Sequence, residues 1–160
     1  MKPIGGVIKD RALYSVTKSS TVAAAAQYMA EKNIGAVPVV EENRLVGVFS
    51  ERDVITRVVA KGLDPATTKI QDVMTVKIVV AEVNEAYESA LKKMQKTHCR
   101  HLPVVDGEQL VGFVSLRDLL MMDLDEKEQN IDYLHSYIYT VPPGTAKRYE
   151  EGQSSLTNTE

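Results

Sequence analysis

Cysteine is almost absent from this chain: Cys99 stands alone. That excludes an internal disulfide framework and suits a reducing compartment. Long apolar runs are missing too. No stretch reaches the roughly 18 hydrophobic residues of a membrane span, and the first residues show neither a signal-peptide pattern nor an Arg-rich amphipathic import stretch. A cytoplasmic protein without a membrane span is the expectation. A dominant charge is also lacking. The net charge is −3; residues 1–122 hold 16 basic and 14 acidic side chains, and residues 123–160 hold 3 and 8. No basic stripe is available to track a nucleic-acid polymer, so any phosphate must be met by a few placed cations. Catalytic signatures are equally scarce. There is no Gly-x-x-x-x-Gly-Lys loop and no suggested Ser/His/Asp set, and His98 and His135 have no metal-ligand partners at useful spacing. An enzyme is not expected.

What is present is a repeat. Residues 36–55 (AVPVVEENRLVGVFSERDVI) and 101–120 (HLPVVDGEQLVGFVSLRDLL) align without a gap at an offset of 65, with 9 of 20 positions identical. Ala25/Ala90 and Met29/Met94 match at the same offset. Repetition of this kind fixes the architecture before anything else. Each half alone, at roughly 60 residues, would be a marginal domain, so the halves are expected to share an interface.

Periodicity changes in the same order in both copies. A short extended stretch (13–16; 78–81) precedes a helical stripe: Val22, Ala25, Ala26, Met29 and Ala30 in the first copy, Tyr87, Ala90, Leu91 and Met94 in the second. Ser19 and Asn84 are the expected caps, and Asn33 and His98 the expected ends. Apolar runs 36–40 and 102–105, each with a proline at its start, turn through 41–43 and 106–108 into runs 45–49 and 110–114, giving hairpins. A second helix is expected from Ser50 to about Lys61 with Val54, Ile55, Val58 and Val59 inward, and its counterpart from Ser115. The fold class is thus mixed α+β, two β-α-β-β-α units. The expected organisation is a first unit at 7–62, a linker at 63–69, a second unit at 70–125, an amphipathic helix at 126–140 and a flexible tail at 141–160. Ile131, Leu134 and Ile138 form the apolar stripe of that last helix, which packs either on its own body or on a second copy. Met121-Met122 marks the core or a dimer seam, and Cys99 reads as a small core residue.

Both copies carry Gly-x-x-Ser-x-Arg-Asp at a strand-to-helix junction: Gly47, Ser50, Arg52, Asp53 and Gly112, Ser115, Arg117, Asp118. Two readings fit. The glycine can admit a ligand to the backbone, the serine can donate to phosphate at a positive helix start, and the acid can accept from ribose hydroxyls. Equally, Ser-x-x-Asp is a capping box that serves only the helix. Arg52 and Arg117 fit either a phosphate or a solvated helix face.

The β-α-β-β-α repeat, the strands Val37-Pro38-Val39-Val40 and Leu102-Pro103-Val104-Val105, and the Gly-x-x-Ser-x-Arg-Asp element together resemble a tandem pair of CBS domains, often called a Bateman module. The likeness spans residues of about 7–122 and is to small stand-alone members of the family. It implies two units related by a pseudo-two-fold axis, and a regulatory sensor for an adenosyl ligand. AMP, ADP and ATP lead; NAD and S-adenosylmethionine follow. Asp53 and Asp118 would hold ribose, Ser50 and Ser115 would lie near phosphate, and Ala36, Val37, Pro38 and His101, Leu102, Pro103 would frame adenine. Arg52, Arg100, His101 and Arg117 would meet phosphate. Because Arg100-His101 matches only Gly35-Ala36, the two clefts are expected to differ electrostatically; Arg117 either clamps phosphate or obstructs its cleft. The resemblance also implies a homodimer and an unidentified regulated protein. A ligand-independent interaction or assembly module is the alternative.

Overall fold

The computed structural model describes residues 2–139, with side-chain burial to residue 135; the expected tail at 141–160 lies outside the described residues. Among the described residues, those up to Met121 form one compact unit and those from Met122 a second.

In the first unit a short helix α1 (Gly5–Ile8), absent from the expectation, precedes β1 (Val16–Thr17), α2 (Val22–Lys32), and the hairpin β2 (Ala36–Glu41) and β3 (Arg44–Ser50). The chain continues into α3 (Glu51–Asp53), a π turn at Val54–Val58 and a 3₁₀ turn at Val59–Lys61. The second copy follows as α4 (Ile70–Val73), β4 (Ala81–Glu82), α5 (Tyr87–Thr97), β5 (His101–Asp106), β6 (Gln109–Ser115) and α6 (Leu116–Tyr139). The strands form one sheet in the order β1-β2-β3-β6-β5-β4, in which the hairpins meet antiparallel at Arg44 and Gln109. The order reads the same from either end, as a pseudo-two-fold repeat requires.

Local chemistry explains most boundaries. Asn33 and His98 end their helices in the left-handed conformation, their N–H groups returning to carbonyls of the last turn. Pro38 and Pro103 lie inside their strands rather than at the start. The two-residue strands β1 and β4 pair only with Val39–Val40 and Val104–Val105, so no ladder bond from those edges is asked of either proline nitrogen. The caps differ from expectation. Thr21, not Ser19, accepts the Ala24 N–H at 3.2 Å, and Ala86, not Asn84, holds the N-cap position of α5, which has no side-chain cap.

Each repeat is completed by the segment that leads into the other. Ile4 and Gly5 N–H groups donate to the Glu85 and Val83 carbonyls, while Ile70 and Gln71 donate to those of Ser20 and Lys18. Ile4 is fully buried, and Ile70 and Val73 join Val22, Met29, Val37 and Phe49 in the first core. This exchange accounts for both motif glycines. A Cβ on Gly112 would stand 2.6 Å from the Ile8 side chain, and one on Gly47 would stand 2.5 Å from the Met74 sulfur. Gly112 and Gly47 are needed by the lead-in segments, not first by a ligand.

The expected inward face of 50–61 is only half right. Val58 is buried, but Ile55 and Val59 are 63% and 68% exposed. Their repeat counterparts Leu120 and Leu124 are exposed as well, at 46% and 54%, inside the regular helix α6, so the exposure does not depend on the π turn. The two helices expected after Ser115 are one continuous helix, α6. Within the second unit Lys127 pairs with Asp123 one turn back at 2.6 Å, and Ile131 and Leu134 are exposed. Among the described residues no helix is long and apolar enough to cross a membrane.

Candidate functional site: two clefts built from both repeats

Ser50 and Ser115 close their capping boxes. The Ser50 N–H and hydroxyl both donate to Asp53 Oδ2 (2.9 and 3.0 Å), and the Asp53 N–H returns to the Ser50 hydroxyl at 3.4 Å. The second copy repeats this at 2.8, 2.8 and 3.2 Å. The next amides are also engaged: Glu51 N–H donates to the Gly35 carbonyl and Leu116 N–H to that of Arg100. The helix starts are therefore largely satisfied by the protein itself.

One oxygen of each acid remains turned outward from its box. Asp53 Oδ1 accepts from the Thr75 hydroxyl at 3.3 Å and faces the Arg57 guanidinium at 3.4 Å, and that arginine also donates to the Val73 and Met74 carbonyls. Asp118 Oδ1 is paired with Arg11 at 2.9 Å. Burial works to raise the Asp118 pKa, but the Ser115 donors and Arg11 outweigh it and hold it below the usual value.

Each acid lines a cleft whose opposite wall comes from the other repeat. The smaller cleft, about 360 Å³, joins Asp118 and Ser115 to Leu13, Tyr14, Gly35, Ala36 and Pro38. The larger, about 830 Å³, joins Ser50 and Asp53 to Ile78, Val79, Cys99, Arg100 and His101. Both volumes fall within the range of small-molecule sites. The residues correspond at the repeat offset, Leu13 with Ile78, Tyr14 with Val79, Ala36 with His101 and Asp118 with Asp53. Gly35, Ala36, His101 and Ser115 line both clefts and so form the wall between them.

Of the residues singled out in the sequence, Arg52, Arg100 and Arg117 line the larger cleft, and Pro38 the smaller. Val37, Leu102 and Pro103 are buried and are not among the described lining residues of either. His101 stacks on Phe113, with centroids 5.6 Å apart and planes at 8°. Burial, reinforced by neighbouring Arg100, lowers its pKa against the opposing pull of Asp118 and Glu51, leaving a neutral imidazole at pH 7. Sequence reasoning missed Arg11, Tyr14, Arg57, Thr75, Lys77, Ile78 and Val79 as site residues. The extended stretches before each helix were visible, but nothing in the sequence said that they face the other copy's acid. Among the described residues no group of His, Cys, Asp and Glu could hold a metal ion.

Comparison with known proteins agrees with this geometry. The family model described as "CBS domain" matches residues 6–60 and 70–125. CBS domain-containing protein YhcV of Bacillus subtilis is 35% identical over 113 residues, covering 71% of this chain and 80% of its own length. The structure of a protein with CBS domains from Burkholderia ambifaria superposes with a TM-score of 0.73 at 32% identity, covering 78% of this chain and 95% of the other. A structure of CBSX2 in complex with AMP superposes at 0.68 and 27% identity, covering 79% and 99%. With the fold, the duplicated motif and the paired clefts in agreement, this chain belongs to the CBS-domain family and carries two such domains in tandem.

Proposed function

We propose that this chain is a cytoplasmic regulatory module that binds an adenosyl ligand between its two CBS domains and passes occupancy to a protein partner. AMP, ADP or ATP is the leading ligand, ahead of NAD and S-adenosylmethionine. The observation that carries the reading is the composite cleft. A carboxylate with one outward oxygen stands across from the extended segment of the other repeat in each cleft, with Pro38 in the smaller and several cations lining the larger. The AMP-bound CBSX2 structure supports an adenosyl ligand in a related fold. A ligand that bridges both repeats favours the arrangement it fits, by its differential affinity for the two states.

Homodimer formation belongs to the same proposal. Ile55 and Leu120 occupy matching positions after the two Ser-x-x-Asp elements and are 63% and 46% exposed, next to exposed Val59 and Met121. Repeat-related apolar positions suit a two-fold interface with a second copy. Light scattering of the wild type and of Ile55→Asp tests it: a dimer that the substitution dissociates is expected, and a wild-type monomer refutes it.

The closed capping boxes favour the second reading, a ligand-independent interaction module. Mass spectrometry of the denatured, freshly purified protein and thermal melting with AMP, ADP and ATP separate the two. A ligand at 100 times its dissociation constant adds about 2.7 kcal/mol to the bound form, which is visible as a melting shift. Failure of every adenosyl compound to co-purify or to shift melting would defeat the proposal.

A further inference from the structure

Matched positions of the two clefts differ in charge in one direction. Ala12 lines only the smaller cleft, whereas its repeat counterpart Lys77 and the Gly35 counterpart Arg100 line only the larger. Arg52 and Arg117 also line the larger cleft, and among the described residues neither they nor Lys77 and Arg100 form an ion pair. Arg57 is matched by Asp53, which leaves Glu51 as the other acid against those four cations. The smaller cleft balances to zero. Its one permanent cation, Arg11, is paired with its one acid, Asp118, and Lys32 lies over the Tyr14 and Tyr28 rings (5.4 and 5.8 Å), outside the lining. Its surface is instead aromatic and aliphatic, from Tyr14, Phe113, Ile8, Leu13 and Ile34.

We infer that the two clefts divide ligands by charge: the larger takes a nucleoside polyphosphate, the smaller a nucleoside without phosphate. The inference rests on the adenosyl reading above. Phosphates entering the larger cleft meet unpaired guanidinium and ammonium groups, which form charge-assisted hydrogen bonds. Phosphates entering the smaller cleft would be desolvated without a free cation to receive them, whereas a base and ribose carry no charge to desolvate and offer ring faces to the aromatic and aliphatic lining. The wall shared through His101 and Ser115 places the two ligands side by side, so both can be bound at once.

Calorimetric titration of the full chain with magnesium-free ATP and with adenosine tests the division. Lys77→Ala combined with Arg100→Ala alters only the larger cleft; Ala12→Trp fills only the smaller. The double substitution is expected to weaken ATP at least about tenfold and to change adenosine by less than about twofold. Ala12→Trp is expected to do the reverse, and saturating adenosine is expected not to displace ATP. Competition for one site, or equal weakening of both ligands by the double substitution, overturns the division while leaving adenosyl binding intact. Absence of binding by either compound overturns the division together with the reading beneath it.

Discussion

Arg11 offers the sharpest perturbation. Its guanidinium holds the outward oxygen of Asp118 at 2.9 Å, the oxygen a ribose hydroxyl would need. A nucleoside entering the smaller cleft competes with it for that oxygen. The pair is partly solvated, with side-chain exposures of 49% and 27%, so its strength belongs with surface ion pairs, about 0.5–1 kcal/mol. Arg11→Ala removes that competition and should raise adenosine affinity about two- to fivefold, while Arg11→Lys, which keeps a cation there, should stay nearer the wild type. The same loss should lower the melting temperature by no more than about 4 °C. Calorimetric titration with adenosine and a thermal melt of the unliganded protein read the two effects separately. If Arg11→Ala binds adenosine more weakly than the wild type, Arg11 assists the ligand, and the reasoning is wrong.

Further consequences concern the fold around the clefts. Gly112→Ala should destabilise by about 1–3 kcal/mol, because the facing Ile8 is β-branched and stiff; Gly47→Ala should cost less, because its nearest neighbour is the flexible Met74 thioether and the Thr75 carbonyl stands further off at 3.2 Å. Equal losses in urea denaturation would contradict that account. Thr21→Ala should cost about 1 kcal/mol as a lost cap and Ser19→Ala less than about 0.5 kcal/mol; the reverse order would return the cap to Ser19. Acid should destabilise in two stages. The lowered His101 pKa makes the folded protein bind fewer protons than the unfolded chain, so stability is complete above the ordinary imidazole value and declines as pH falls through the folded one. The lowered Asp118 pKa adds a second decline below the ordinary carboxylate range. Replacing His101 with Gln should remove the first stage from a stability–pH curve, and its persistence would assign that stage elsewhere.

The repeat made much of the architecture readable. Proline-bearing strands, hairpin turns and the helix ends at Asn33 and His98 all follow from local chemistry that the sequence displays. The exposure of Ile55 and Val59 was not readable, because an apolar stripe at helical spacing does not say whether it meets the chain's own core, and the matching Leu120 and Leu124 are exposed too. The clefts were half readable. Asp53, Asp118 and Arg100 announce themselves by repetition or by its absence, but repetition is silent about which copy faces which. Arg11 and the lead-in segments carry no periodic signal; their roles arise from packing against the opposite repeat, as at Ile8 and Gly112. The motif serine and acid fit two functions in sequence, and the structure shows the capping box closed while one carboxylate oxygen lines a cavity.

The most direct measurement of the central claim pairs Asp53→Ala with a ligand that lacks the ribose hydroxyls. Calorimetry with AMP and with 2′,3′-dideoxy-AMP on the wild type and on Asp53→Ala gives the coupling between carboxylate and sugar. If Asp53 grips ribose, deleting the hydroxyls weakens binding to the wild type by about tenfold and leaves binding to Asp53→Ala unchanged. An equal loss in both proteins would show that the carboxylate serves its helix alone.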